Sequence, residues 1–129
     1  MRICVTAVSG SLEAQLDPRF GRCTYFVIVD SETMEFEAVS NIASSSMTGA
    51  GIQAAQTIAS KGVNVLVTGN VGPNAFQALS AAGIKVVTGA FGNVREVVEK
   101  YKRGELKETG SPTVRGHFGM GRGRGARRA

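Results

Sequence analysis

The chain has 129 residues, 43% hydrophobic, 6% aromatic and 19% charged. That length suits one domain whose core needs neither disulfides nor a metal, and the apolar content excludes a wholly disordered chain. No apolar run approaches the ~20 residues of a membrane-spanning helix, and Met1-Arg2-Ile3-Cys4 opens no secretory signal, so a cytoplasmic protein without a membrane partner is expected.

The formal net charge of +5 is unevenly placed. Arg115, Arg122, Arg124, Arg127 and Arg128 lie in residues 115–129 with no acid among them, while residues 1–114 carry ten basic against ten acidic side chains. The body is neutral and lacks Trp, so it has neither the basic face nor the stacking platform of a nucleic-acid-binding fold. Nucleic acid could be met only through the tail.

In chain order, Ile3 to Val8 is apolar and β-branched and predicts a first strand. Tyr25-Phe26-Val27-Ile28-Val29 is a continuous apolar run, as in a strand buried on both faces. Glu35 to Val39 alternates and predicts a half-exposed antiparallel partner, so the first three strands form a meander. Ala50 to Ser60 carries Ile52, Ala55, Ile58 and Ala59 at helical spacing and is closed by Gly62. A fourth strand follows over 63–68. Pro73 opens a second helix with Ala75, Phe76, Leu79 and Ala82 on its buried face and Gly83 as its stop. Ile84 to Thr88 is a fifth strand. Asn93 caps a third helix, with Glu96 placed for a capping box, Val94, Val97, Val98 and Tyr101 as its stripe, and Gly104 as its end.

Alternating helices and strands in the second half imply parallel strands joined by right-handed crossovers. The expected fold is α/β: a mixed five-stranded sheet, with strands 1–3 antiparallel and strands 4 and 5 parallel, carrying three helices. The domain should span residues 1–109. Residues 110–129, rich in Gly and Arg and without apolar period, should form a flexible tail.

No catalytic constellation is present. His117 is the only histidine and lies in the tail, no paired carboxylates share a loop, and no P-loop pattern exists; an enzyme is not expected. Ligands of parallel sheets bind beyond the carboxyl ends of the strands. Three turns should meet there, at 44–51, 69–72 and 89–93, offering small side chains and free amides but no acids, an edge suited to an anion. Ser46, Thr48 and Gly49 in the first turn and Gly69, Asn70 and Gly72 in the second are candidate binding residues. The same glycines would equally serve to turn strand into helix.

The loop Asp17-Pro18-Arg19-Phe20-Gly21-Arg22-Cys23 places two arginines and a thiol within five residues. Cationic neighbours favour thiolate, and thiolates hold iron–sulfur clusters; on this reading Arg19, Phe20, Gly21, Arg22 and Cys23 bind a cofactor and Cys23 ligates metal. On the other reading Phe20 plugs the core, Arg19 pairs with Asp17, and Cys23 is buried.

Asp-Pro-Arg-Phe-Gly-Arg at 17–22, Tyr25-Phe26 with its strand, Gly-Ala-Gly-Ile-Gln-Ala-Ala-Gln at 49–56 and Thr-Gly-Asn-Val-Gly-Pro-Asn-Ala-Phe at 68–76 occur in this order. Together they resemble the dinitrogenase iron–molybdenum cofactor biosynthesis family over roughly residues 1–106. The resemblance implies a ribonuclease-H-like three-layer fold, without the acidic set of a nuclease. It also implies a nitrogenase-accessory-like, non-catalytic carrier that transiently binds an iron–sulfur cluster or iron–molybdenum cofactor precursor, not needed for folding, and exchanges it with donor or acceptor proteins of cofactor assembly. Family members commonly have a histidine before the Phe-Gly; Arg19 stands here, and the lone histidine, His117, becomes a second candidate metal ligand. The alternative function is an anion- or nucleic-acid-binding module using the Arg/Gly tail.

Overall fold

The structure, a computed structural model, describes residues 1–42 and 49–113. Its elements are β1 (Arg2–Ala7), β2 (Tyr25–Asp30), β3 (Phe36–Ser40), α1 (Ala50–Ser60), β4 (Val65–Val67), α2 (Pro73–Ala81), β5 (Lys85–Val87) and α3 (Val94–Lys102). The five strands form one sheet in the order β3-β2-β1-β4-β5. β1 pairs antiparallel with β2 and parallel with β4; β2–β3 is antiparallel and β4–β5 parallel. The expected mixed sheet with three helices is thus observed.

Side chains alternate across a strand, and the two core clusters follow from that. Ile3, Val5, Val27, Val29, Val65, Val67 and Val87 point to the face covered by α3 through Val94, Val97 and Val98. Cys4, Phe26, Ile28, Leu66 and Val86 point to the opposite face, covered by α1 and α2 through Ala54, Ala55, Ile58, Ala75 and Leu79. Gly62, Gly83 and Gly104 end the helices at positive φ, as the sequence predicts. Pro73 occupies the first turn of α2, and the Asn93–Glu96 capping box is formed at both bonds, 2.8 and 2.9 Å.

Several details depart from expectation. β4 and β5 are three residues each, because only those positions lie beside a partner. Val8 lies beyond β1 and is exposed. β3 is an edge strand shifted to Phe36–Ser40, exposed except for half-buried Val39. In α1 the buried stripe is Ala50, Ala54, Ala55 and Ile58, while Ile52 and Ala59 are exposed: close contact with α2 selects the alanines. In α2 Ala82 is the exposed C-cap and Phe76 is half-buried.

The chain after α3 does not leave the body at residue 110. The Thr109 N–H donates to the Val86 carbonyl at 2.6 Å, and the Thr113 N–H donates to the Val71 carbonyl at 2.9 Å. The expected tail is therefore bound to the body as far as Thr113; its remaining residues, with His117, lie outside the described residues.

Candidate functional site: a glycine-lined edge beside an arginine loop

Two threonines stand at the carboxyl ends of β1 and β4, Thr6 next to last in β1 and Thr68 just after β4, one step beyond the Val5–Val67 pair. Both are fully buried. Thr6 Oγ1 donates to the Asp17 carbonyl at 2.6 Å, so the 2.8 Å contact between the two hydroxyls is donated by Thr68. With the Asp17 N–H bonded to the Thr6 carbonyl, this fixes the start of the 17–22 loop over the sheet end.

Two further contacts hold that loop. The Asn70 N–H donates to Pro18 O at 2.8 Å and the Phe20 N–H to Asn70 O at 3.4 Å, a short parallel bridge between the loop and the 69–72 turn. The approach is so close that a Cβ on Gly69 would sit 2.4 Å from Pro18 Cβ. On the other side Gly21, at φ +96°, lies against Gly51, whose Cα would be 3.1 Å from a Cβ on Gly21. A Cβ on Gly51 would in turn meet Ala75 Cβ at 2.9 Å. Gly21, Gly51 and Gly69 thus bring the loop, the first turn of α1 and the first turn of α2 together.

Both helices begin on a glycine, Gly49 and Gly72, with no side-chain cap and no acid in the first turn. Their first-turn N–H groups are not consumed within the helices, and two positive dipole ends stand side by side. The third expected turn behaves differently. Gly89 N–H bonds to Gly69 O at 2.9 Å, but the start of α3 is closed by Asn93 and the Glu96 carboxylate. Residues 12–16 cover it, with Leu16 N–H on Gly92 O and Val94 N–H on Ala14 O. Glu13 adds an acid there through its ion pair with Arg95. The anion-suited edge therefore comprises the α1 and α2 starts and excludes the 89–93 turn.

Within the 17–22 loop, Phe20 is 9% exposed and packs on Phe26, ring centroids 6.0 Å apart. Arg19 grips the buried Asp17 carboxylate with Nε at 3.1 Å, Nη2 at 3.0 Å and its own N–H at 3.0 Å. Burial pushes the Asp17 carboxyl up, but the hydrogen bonds and charge of Arg19 outweigh it and the pKa ends below the ordinary range. Arg22 is exposed.

Cys23 corrects the expectation of a thiolate. Strand-like alternation turns Arg22 outward and Cys23 inward, where it is fully buried in the α1/α2 core beside Phe20 and Phe26. Burial, reinforced by the Asp17 charge, pushes its thiol up to about 12. Asn41, also buried, donates from Nδ2 to the Gly21 and Cys23 carbonyls at 3.1 and 2.9 Å and lies 3.8 Å from Sγ. An enclosed thiol meets a metal only if the packing around it opens. Cys4 is equally enclosed, and burial raises it as well.

The structure thus gathers Arg19, Phe20, Gly21, Arg22, Gly49, Gly69, Asn70 and Gly72 at one edge, with Cys23 beneath. Ser46, Thr48 and His117 lie outside the described residues. Asn41, Thr6 and Thr68 escaped the sequence reading. Among the described residues no three His, Cys, Asp or Glu side chains come together as a metal-binding group, and no helix is long and apolar enough to cross a membrane.

Comparison with known proteins agrees with this architecture. The apo form of the orange protein from Desulfovibrio gigas is 47% identical and superposes with a TM-score of 0.86, over 88% of this chain and 96% of that one. A candidate NifB protein from Thermotoga is 36% identical with a TM-score of 0.74, over 88% and 98%. An uncharacterized protein of Methanocaldococcus jannaschii shares 34% of 97 residues, 73% of this chain and 82% of that protein. Residues 1–104 match the dinitrogenase iron–molybdenum cofactor family, and the chain belongs to it.

Proposed function

We propose that this protein is a non-catalytic carrier for an anionic metal–sulfur cluster, of iron–sulfur or iron–molybdenum type, acting between donor and acceptor proteins of cofactor assembly in the cytoplasm. The observation that carries the reading is the pairing of two uncapped, glycine-led helix starts with no acid in either first turn, against which the loop that bears Arg22 packs through Gly21 on Gly51. Amides and dipole ends of this kind favour anions, and an arginine adds charge-assisted donors. Family membership supports cofactor handling, and the orange protein has an apo form, so that relative takes up a ligand. The ribonuclease-H-like label that the resemblance suggested is part of the same proposal.

On this reading the cargo docks on the edge formed by Gly49 to Gly51, Asn70, Gly72 and Arg22. Cys23 joins as a ligand only when the packing around it opens, and His117 is a ligand supplied by the arm. The core is complete without metal, so cargo can leave without unfolding the carrier.

Anaerobic reconstitution with ferrous iron and sulfide tests the proposal. Wild type should retain iron and sulfide through gel filtration. Asn70→Asp, near-isosteric at an exposed position, should retain several-fold less because it sets an anion on the edge, and Arg22→Glu should do the same. Full retention by both variants would move the site elsewhere. Absence of retention by wild type, with co-purifying nucleic acid, would favour the tail-based module.

A further inference from the structure

The two edges of the sheet are treated differently. At β5 the chain covers its own edge: the Thr109 N–H donates to the Val86 carbonyl at 2.6 Å, and Thr109 Oγ1 accepts from the Thr88 N–H at 3.0 Å. At β3 the edge is open. Hydrogen bonding alternates along an antiparallel pair, and its phase here is fixed by the Asp30 N–H on the Glu35 carbonyl and the Asn41 N–H on the Thr24 carbonyl. Glu37 and Val39 therefore bond to β2, while Phe36, Ala38 and Ser40 turn their N–H and C=O groups outward. Those outward groups have no partner among the described residues.

Proteins guard such edges with Pro, Lys, bulges or a covering segment. Phe36-Glu37-Ala38-Val39-Ser40 has no Pro and no Lys, and its register with β2 is unbroken. Its one charge, Glu37, is turned to its own chain, 2.7 Å from Lys61 Nζ and 3.5 Å from Arg2 Nη2. Phe36 is 44% exposed beside Val29. The body that carries the strand, residues 1–114, is formally neutral, so its net charge does not hold copies apart.

We propose that β3 pairs with β3 of a second copy, antiparallel about a two-fold axis at Ala38, and so joins two five-stranded sheets into one. Phe36 then opposes Ser40 of the second copy, Ala38 opposes its own counterpart, and Ser40 opposes Phe36. Each of these pairs exchanges both N–H···O bonds. The strand is complementary to itself in this register. Glu37 opposes Val39 of the second copy, so no like charges stand opposite each other, and Lys61 and Arg2 of each copy offset the diagonal pair of Glu37 carboxylates. Phe36 and Ala38 of both copies lie on one face of the seam, where the exposed ring gains cover. A contact of this isologous kind closes at two copies. β1 runs the same way as β3, so the two candidate cargo edges point in opposite directions, and self-pairing goes beyond the carrier reading without depending on it.

Sedimentation velocity of the full-length protein tests the pairing between about 1 µM and about 500 µM, a range suited to a small seam. Wild type should pass from the mass of one chain to that of two. Ala38→Pro removes an outward N–H that β2 does not use and that an edge strand can spare. It should weaken association at least about 10-fold, since the two-fold axis removes two hydrogen bonds at once. Phe36→Lys sets a charged guard on the edge and should do the same. Thermal midpoints of both variants should stay within a few degrees of dilute wild type; if Ala38→Pro does not fold, Phe36→Lys decides alone. The register has its own test. Opposed Cα atoms of a bonded pair are ~5.5 Å apart, within disulfide range, so diamide should cross-link Ala38→Cys to a dimer and leave Val8→Cys, exposed elsewhere, as single chains. A single-chain mass for wild type at every concentration would overturn the proposal. So would folded variants that associate as wild type does, or cross-linking of Val8→Cys as fast as Ala38→Cys.

Discussion

Gly69→Ala should be the most damaging single methyl that can be added to the site. Its Cβ would lie 2.4 Å from Pro18 Cβ, 2.6 Å from Pro18 Cα and 2.9 Å from Pro18 O, well inside the ~3.5–4.0 Å optimum for carbon contacts. The obstacle is backbone and a closed ring, so no rotamer relieves it. The 17–22 loop must lift from the 69–72 turn by about 1 Å or more, which breaks the 2.8 and 3.4 Å hydrogen bonds between them. Overpacking costs roughly 1–3 kcal/mol and the two bonds about 1 kcal/mol each, a total near 4 kcal/mol of a typical 5–15. In urea this should move the unfolding midpoint down by roughly 2 M at unchanged slope. Gly72→Ala, three residues on, is the control: nothing lies within 4 Å of its Cβ, and at φ −82°, ψ 172° the backbone accepts alanine. A weaker N-cap and a less entropic unfolded chain nearly cancel there, leaving about 0.5 kcal/mol or less. Equal midpoints for Gly69→Ala and wild type, or equal losses in both variants, would refute the close approach as the element that joins the two loops.

Asn41→Ala should cost about 2–4 kcal/mol by urea unfolding, because the Gly21 and Cys23 carbonyls lose a buried donor; a loss under 1 kcal/mol would contradict its role in pinning the loop. Cys23 at about 12 should react with iodoacetamide at pH 8 at least about 10³-fold more slowly in the native than in the denatured protein, and a native rate within tenfold of the denatured one would contradict the enclosed thiol. The same raised value predicts that stability is full below the ordinary thiol pKa near 8.5 and falls as pH rises toward 12, Cys23 contributing up to about 1.4 kcal/mol per unit, so Cys23→Ala should make the limb shallower while Cys4 sustains the rest. Asp17 has the opposite sign: its lowered pKa contributes stability above the unfolded value near 3.9 that is lost as pH falls through the folded value, and Asp17→Asn should remove that limb. A strong chelator should leave the melting temperature of metal-containing protein unchanged, and a drop of more than a few degrees would make the metal structural.

Strand runs such as Tyr25–Val29, glycine stops and the Asn93–Glu96 box act locally, so the elements of this fold were legible without coordinates. The side chains that fail the reading are those decided by neighbours far along the chain. Ile52 fits a helical stripe, yet the stripe is set by which residues face α2, and Gly51 against Ala75 brings the helices too close for a larger side chain. Arg22 and Cys23 are adjacent in sequence but face opposite ways, so the cationic neighbour never reaches the thiol. The 89–93 turn looked available because nothing local announces that residues 12–16 will cover it. Thr6 and Thr68 carried little signal: both are β-branched residues inside predicted strands, and their pairing depends on β1 and β4 lying side by side. Asn41 carried none, since its task depends on meeting Gly21 and Cys23 across the loop.

The central claim is the place where cargo sits, and backbone amide spectra of the loaded protein test it most directly. An iron-containing cluster broadens nearby amide signals. In 15N-labelled protein reconstituted anaerobically with iron and sulfide, loss of signal should centre on Gly21, Arg22, Ala50, Gly51, Asn70, Asn74 and Ala75, with Asn64, Gly83 and Lys85 at the opposite end of the sheet unaffected. Broadening centred on that opposite end, or on the Asn93 start of α3, would contradict the account.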